Sequence, residues 1–475
     1  MPVLNIFHIA RRVLALLQGR DGTVGTLARA IGIGPDLIAP ACELLALFGY
    51  AEGDGAGRYR RSSALARPGS PETLLALAAR MTRLFRLPSG DMPGGFFFGA
   101  ELDPAAFRIG AAGDAAAGVG GKGDSLLAAF ESCLGEAAEH VALHSPAPAA
   151  ASTRPQPESV PPDGWTAANW RAAYRWMRDG LGADPTRIEA MPWLAAEGDD
   201  GRALPIPAPL ILRQSAGDCQ EADSSGLAAG PDVASARLQA LLEAVERDAV
   251  MLWWHGGRPA PALVLDRDNA AALDTFATEA RGTAIPARRH WFLDLTSDIA
   301  VPVVAALSAG ADGGAVAYGF AADPDPAIAA RRAFIEMGQF EIARTLAIMK
   351  RAQSGDAALG ATDRAHIEGG ERLSLEAFPR FAPSAPAKPV AARPDFDGDS
   401  DDDGAGRFAM VRDALAAAGY AAFFVDLTRP DIAVPVFRAI VPGLQSARVA
   451  WRSRRLARVR RETGPSTGNM PALFY

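Results

Sequence analysis

Cysteine is scarce in this chain: Cys42, Cys133 and Cys219 are the only three in 475 residues. Three widely spaced thiols suit neither a disulfide framework nor a zinc site, and they fit a reducing, cytoplasmic setting. Long apolar runs are also missing. No stretch of 18 apolar residues occurs, so no membrane span is expected. Arg11 and Arg12 fall inside an amphipathic opening segment, which argues against a secretory signal. Positive charge is in deficit, with 48 Lys and Arg against 55 Asp and Glu and a net charge of −7. The molecule as a whole therefore does not read as a nucleic-acid binder. Lysine is scarce beside arginine, alanine and glycine, which reflects genome bias and not function. An EF-hand is excluded in the acidic run that starts at Asp395, because Gly406 stands where a bidentate Glu is required. That run reads as a disordered loop.

What is present is enough apolar material, 49%, for a sizeable core, and enough length for two or three units. Residues 1–70 form the first. Ile9, Val13, Leu14 and Leu17 lie on one helical face. Two more helices follow, over 23–31 and 36–48, and then a strand, a glycine-rich turn and a second strand to Tyr59. Three helices and a hairpin make a winged-helix-like module. The third helix has no Lys or Arg, so DNA is an unlikely partner and a peptide, a partner protein or a second copy is expected instead. Residues 71–93 read as a connecting helix, with Leu74, Leu75, Ala78 and Met81 on one face. From residue 94 to 475 the chain is α/β (α+β) in character. Within it, 144–164 is a Pro/Ala/Ser linker, 203–212 a strand, and 420–425 a buried strand.

Two stretches share one signature. Gly120-Gly121-Lys122-Gly123 reads as a glycine turn ahead of a helix carrying Glu136 and Glu139. Ser225-Gly226-Leu227-Ala228-Ala229-Gly230 precedes a helix carrying Glu243 and Glu246. Residues three apart share a helix face, so each helix aims two carboxylates at one point. A lone Glu-x-x-Glu is ordinarily a solvated surface. Here both pairs sit in alanine- and leucine-rich helices, where a carboxylate is costly without a cation or a donor. Four such carboxylates suit magnesium shared with phosphate oxygens. Arg247 suits phosphate through its planar fork. The pairing also hints at an internally duplicated fold.

The segment from Ser225 to Ala249 resembles the central motif of the YcaO-domain family. Lys122, Ser132, Glu136 and Glu139 are similar to its first motif, and Ala333-Phe-Ile-Glu336-Met-Gly-Gln339 to its third. Asp294 to Pro302 and Val434 to Gly443 resemble its mid-domain turn and its late core strand. The resemblance spans roughly residues 75 to 475. It implies an ATP- and Mg2+-dependent enzyme that phosphorylates a peptide backbone amide oxygen. Attack by a Cys, Ser or Thr side chain then yields azolines in ribosomally made peptides. The alternatives are a thioamide-forming relative and a partly degenerate substrate-binding partner. It implies Glu136, Glu139, Glu243 and Glu246 as metal ligands. Lys122, Ser132, Ser225, Arg247, Glu336 and Gln339 would contact the nucleotide. The Tyr475 carboxylate and Arg247 are the catalytic candidates.

Implied partners are a precursor peptide and an E1-like, leader-binding or TfuA-like protein, with a homodimer open. The chain departs from the family at His140, where Arg is usual, and at Ser225, where Asn is usual. It also departs at Ala234-Ser235, where an acidic residue is often found. Its end keeps only Pro471 of a proline-rich tail. One of Arg331 and Arg332 is expected to face phosphate, and Asp248 to orient Arg247.

Overall fold

The computed structural model describes residues 5–62, 71–110, 115–148, 152–182, 185–213, 222–282, 288–384, 386–387, 404–448, 453–464 and 473. The acidic run 395–403, Cys219 and the Tyr475 carboxylate lie outside the described residues.

The first part holds helices α1 (Ile6–Leu16), α2 (Val24–Ile31) and α3 (Pro35–Leu47) and strands β1 (Gly22–Thr23), β2 (Ala51–Gly53) and β3 (Arg58–Arg61). The strands form a sheet in the order β1-β3-β2. Asn5 and Thr23 cap α1 and α2 with their side-chain oxygens. Ile9, Val13, Leu14 and Leu17 enter a core that continues into the rest of the chain. Phe48 stacks on Phe130 at 4.2 Å, and the Tyr50 hydroxyl donates to Glu131.

Next come α4 (Pro71–Ala78), β4 (Arg83–Arg86), β5 (Phe96–Leu102), β6 (Ala117–Gly123) and α5 (Leu126–Leu143). The helix expected over 71–93 stops at Ala78. Residues 83–86 pair antiparallel with β5, because the open edge of that strand outweighs a short helical pattern. A domain boundary at residue 94 would cut this β4-β5-β6 sheet.

The middle contains β7 (Ser152–Thr153), α6 (Ala167–Leu181), α7 (Pro185–Glu189), β8 (Trp193–Gly198), β9 (Ala203–Pro207), β10 (Leu227–Ala229) and α8 (Val233–Trp254). The stretch read as a linker over 144–164 contributes β7, which pairs with β8. The strand expected over 203–212 ends at Pro207 in a single 3-10 turn.

The last part holds α9 (Arg267–Arg281), β11 (Arg288–Asp294), β12 (Val303–Gly310), β13 (Ala317–Ala322), α10 (Pro326–Ser354), α11 (Ala361–Arg372), α12 (Gly404–Ala417), β14 (Phe423–Asp426), β15 (Val436–Ile440) and α13 (Arg454–Thr463). Strands β10-β15-β14-β8-β7 form one sheet, with β9 also on β8. Strands β11-β12-β13 form another. The unit of a three-stranded meander followed by a long helix occurs twice, as β4-β5-β6-α5 and β11-β12-β13-α10.

Two glycines set the distance inside these units. A Cβ on Gly121 would lie 2.2 Å from the Cys133 nitrogen, and one on Gly319 would lie 2.2 Å from the Met337 nitrogen. Strands β6 and β13 therefore lie directly on α5 and α10. Gly120 to Gly123 are strand, not the expected turn: glycine serves close approach there, not reversal. The turn ahead of β10 is real, with Gly226 at φ +75° and its missing Cβ facing the Ala439 carbonyl at 2.6 Å.

Candidate functional site

Three helices and one strand aim side chains into a common cleft. Helix α5 presents Glu136 and Glu139, α8 presents Glu243, Glu246 and Arg247, and α10 presents Glu336 and Gln339. Strand β6, seated on α5, presents Lys122. Each helix begins at a capped end, with Ser125, Asp232 and Asp325 accepting from first-turn amides. The functional side chains lie two to four turns inside these ends, where the backbone is fully hydrogen bonded.

Lys122 Nζ donates to Glu336 Oε2 at 2.6 Å and so joins the two meander–helix units. Its backbone amide donates to Ser132 Oγ at 3.4 Å. Arg247 lies across both α8 carboxylates, 3.2 Å from Glu243 and 3.7 Å from Glu246. Glu139 Oε1 accepts the Ala229 amide of β10 at 2.7 Å. Gln339 lies along β6, so close that a Cβ on Gly120 would meet its Nε2 at 2.7 Å.

Among the described residues, five carboxylates thus share the cleft with two cations, Lys122 and Arg247. Burial pushes the Glu243 carboxyl up to about 8, with Arg247 opposing and Glu246 and Glu136 adding to the rise. Burial, then Glu136 and Glu243, lift Glu139 well above its usual range. Burial also raises Glu136 and Glu246, against the pull of nearby cations. Burial would lift Glu336 too, but Lys122 and then Arg247 hold it below its usual range. Glu136 still meets solvent, so the cleft is open on that side.

This surplus of negative charge is what a bound cation would relieve. The oxygen donors are hard, which suits magnesium. Among the described residues no three His, Cys, Asp or Glu side chains are already gathered as a cage for a bare ion. Magnesium normally keeps waters and shares phosphate oxygens, so an open half-shell is the form expected for it. The donor set fits.

Ser225 sits at one end of the cleft. Its Oγ accepts the Ala447 amide at 3.1 Å, and it shares a small cavity with Ala244, next to Glu243. The His140 ring lies tilted against that of His144, with ring centroids 4.3 Å apart. Burial, then His144 and Arg213, push it down to about 4, so it supplies no positive charge where Arg is usual. Asp248 does not orient Arg247. It is buried against Arg455, whose Nε reaches its two oxygens at 2.8 and 3.0 Å. Helix twist explains this: adjacent positions point about 100° apart.

Arg331 turns outward, stacking on Phe276 and lying 3.5 Å from Asp124. Arg332 turns to the cleft mouth, donating to Gln239 at 2.6 Å and lying 3.5 Å from Asp323. Gln239, the Ala229 amide and Arg455 were not anticipated, and no local pattern marks any of them. The Tyr475 carboxylate, the other catalytic candidate, lies outside the described residues.

A mixed fold with three helices converging carboxylates beside a lysine and an arginine defines a magnesium- and phosphate-handling class of protein. The particular family follows from the chain's match to the YcaO family model, described as YcaO cyclodehydratase, ATP- and Mg2+-binding, over residues 120–445. The chain belongs to the YcaO family.

Among solved structures it is similar to a heterocyclase in complex with substrate and cofactor. The identity is 21% and the TM-score 0.59, over 84% of this chain and 55% of that one. It is also similar to YcaO from Methanopyrus kandleri bound with AMPPCP and Mg2+, at 21% identity and TM-score 0.53, over 79% and 90% of the two chains. The E. coli microcin synthetase McbBCD complex matches at 11% identity and TM-score 0.52, over 76% and 88%. At these identities the likeness is one of fold. The chain spans 55% of the length of the heterocyclase chain. No curated protein matches it.

Proposed function

We propose that this chain is an ATP- and Mg2+-dependent cyclodehydratase that activates backbone amides of a ribosomally made peptide. The observation that carries the reading is the cleft itself, in which five carboxylates and two cations converge from α5, α8, α10 and β6. When bound, Mg-ATP would supply a phosphoryl group to the amide oxygen and leave as ADP; a neighbouring thiol or hydroxyl bonds to the amide carbon with loss of its proton, and the phosphorylated oxygen departs as phosphate as the amide N–H proton is lost. Glu136, Glu139, Glu243 and Glu246 would hold magnesium, directly or through water. Arg247 offers phosphate a planar fork while restraining Glu243 and Glu246. Lys122 would move from Glu336 toward phosphate as charge enters the cleft. Gln339 and Ser132 would orient the nucleotide from the α10 and α5 sides, and Ser225 from the Glu243 end.

Retention of all these groups favours an active enzyme over a degenerate binding partner. Of the amide modifications this chemistry allows, azoline formation is the one proposed for this chain. A precursor peptide is the substrate class, and residues 1–70 are proposed to grip a protein segment.

Calorimetry with ATP and Mg2+ tests the proposal. The Glu243→Gln, Glu246→Gln double variant should weaken binding by about 10–100-fold or more. Wild-type affinity in that variant would overturn the metal assignment.

A further inference from the structure

A second, larger cavity lies away from the carboxylates, between α6 and the start of α13. Its volume is about 770 Å3, within the range of about 300–1,000 Å3 usual for ligand sites. On one side α6 turns Asn169, Ala172, Trp176 and Asp179 toward it, positions that recur on one helical face. Tyr420 and Phe423 form much of the other side.

The aromatic walls are held in place. Trp165 stacks on Phe423 with ring centroids 5.4 Å apart, and the Arg202 guanidinium lies over both rings. The Trp176 indole N–H donates to the Leu444 carbonyl at 3.1 Å. The Tyr420 hydroxyl accepts from Arg455 at 3.2 Å.

The charges at the rim are unequal. Asp199 is paired with Arg237, Asp200 with Arg202, and Arg412 with its neighbour Asp413. Asp179 lies 3.5 Å from Arg178. Among the described residues no carboxylate is paired with Arg175 or Arg454, so the rim carries surplus positive charge.

Backbone also faces the space. The β14 ladder begins at Phe423, which pairs with Ile440 on one side and Gly198 on the other. Residues 420–422 come before it, and among the described residues no strand pairs with them. All three line the cavity; the Tyr420 amide is taken by the Leu415 carbonyl at 2.9 Å, so the peptide groups that face an extended chain are those of Ala421 and Ala422. Trp176 is shared with the small cavity, of about 50 Å3, that reaches Ser225 and Ala244 beside Glu243.

We infer that this cavity receives an acidic, apolar stretch of the substrate peptide next to the segment that enters the carboxylate cleft. Aromatic walls take the apolar side chains, Arg175 and Arg454 take the acidic ones, and residues 421–422 offer backbone pairing. The inference rests on the peptide-modifying reading above and adds the character of the peptide.

The test uses the full chain and a fluorescein-labelled hexapeptide in which glutamate alternates with phenylalanine and leucine. A second peptide carries lysine in place of glutamate. Anisotropy at physiological salt should show the acidic peptide binding at least about tenfold tighter. Arg454→Glu and Ala172→Glu, both at exposed positions on different helices, should each weaken it about tenfold while melting as wild type does.

Equal binding of the two peptides, no binding of the acidic one, or wild-type affinity in both variants would each overturn the inference. Mg-ATP calorimetry on the same wild-type sample judges the functional reading separately. A chain that binds the acidic peptide but no Mg-ATP would sink that reading and leave the cavity assignment standing.

Discussion

The crowding of carboxylates makes an unusual demand on stability, and Glu243→Gln exposes it. The Glu243 side chain is only 20% exposed. Burial and two neighbouring glutamates raise its carboxyl from an ordinary value of 4.5 to about 8 despite Arg247. In the unfolded chain the same group ionises at the ordinary value. Between those two values the folded state keeps a proton that the unfolded state has lost, so stability falls as pH rises through that window. From about pH 6 to about pH 8 this one group should cost the fold about 2 kcal/mol. Glutamine has no proton to lose. The variant should therefore gain on wild type by about 2 kcal/mol over that interval, while losing Mg-ATP affinity.

Urea denaturation at both pH values, in EDTA and then with Mg-ATP, reads this directly. Mg-ATP should restore wild type at the higher pH and leave the variant little changed. A stability difference between the two proteins that does not vary with pH would refute the argument. So would a variant less stable than wild type at the higher pH.

Three further outcomes are expected. Gly121→Ala places a methyl 2.2 Å from backbone and should cost about 1–3 kcal/mol or more in chemical denaturation. Gly25→Ala, which meets only the tip of Arg29 at 3.9 Å, should be nearly neutral. Arg455→Met leaves Asp248 buried without its guanidinium and should cost about 3–5 kcal/mol, with much of the loss recovered by adding Asp248→Asn. Duplex DNA should not be retarded by the full chain at physiological salt, because α3 carries no Lys or Arg to displace counterions.

Helix periodicity is what the sequence displayed best. The stripe from Ile9 to Leu17 and the glutamate pairs of α5 and α8 depend only on spacing along one element, and each lies where that spacing puts it. Glycine was ambiguous, since the same residue marks a reversal and a close contact. Gly226 was a turn, whereas Gly121 was a strand lying on a helix. Partnerships between distant elements were not legible. Arg83 to Arg86 became a strand only because β5 lay beside it. Asp248 found its partner 207 residues away. The bond from Lys122 to Glu336 spans 214 residues and needs two sheets to be in place.

The aromatic seam between the first helices and α5 bears on how this protein could be re-engineered. Phe7 and Phe48 both stack on Phe130, and Phe98 meets that ring edge-on. Phe130 sits six residues before Glu136 on the same helix. The N-terminal module is therefore no detachable cassette: exchanging it for that of a relative would expose Phe130 and loosen the helix that aims Glu136 and Glu139. A working chimera would have to carry Phe98 and Phe130 with the transplanted module, so the natural cut point lies within the cleft's own scaffold and not in the chain that joins the two parts.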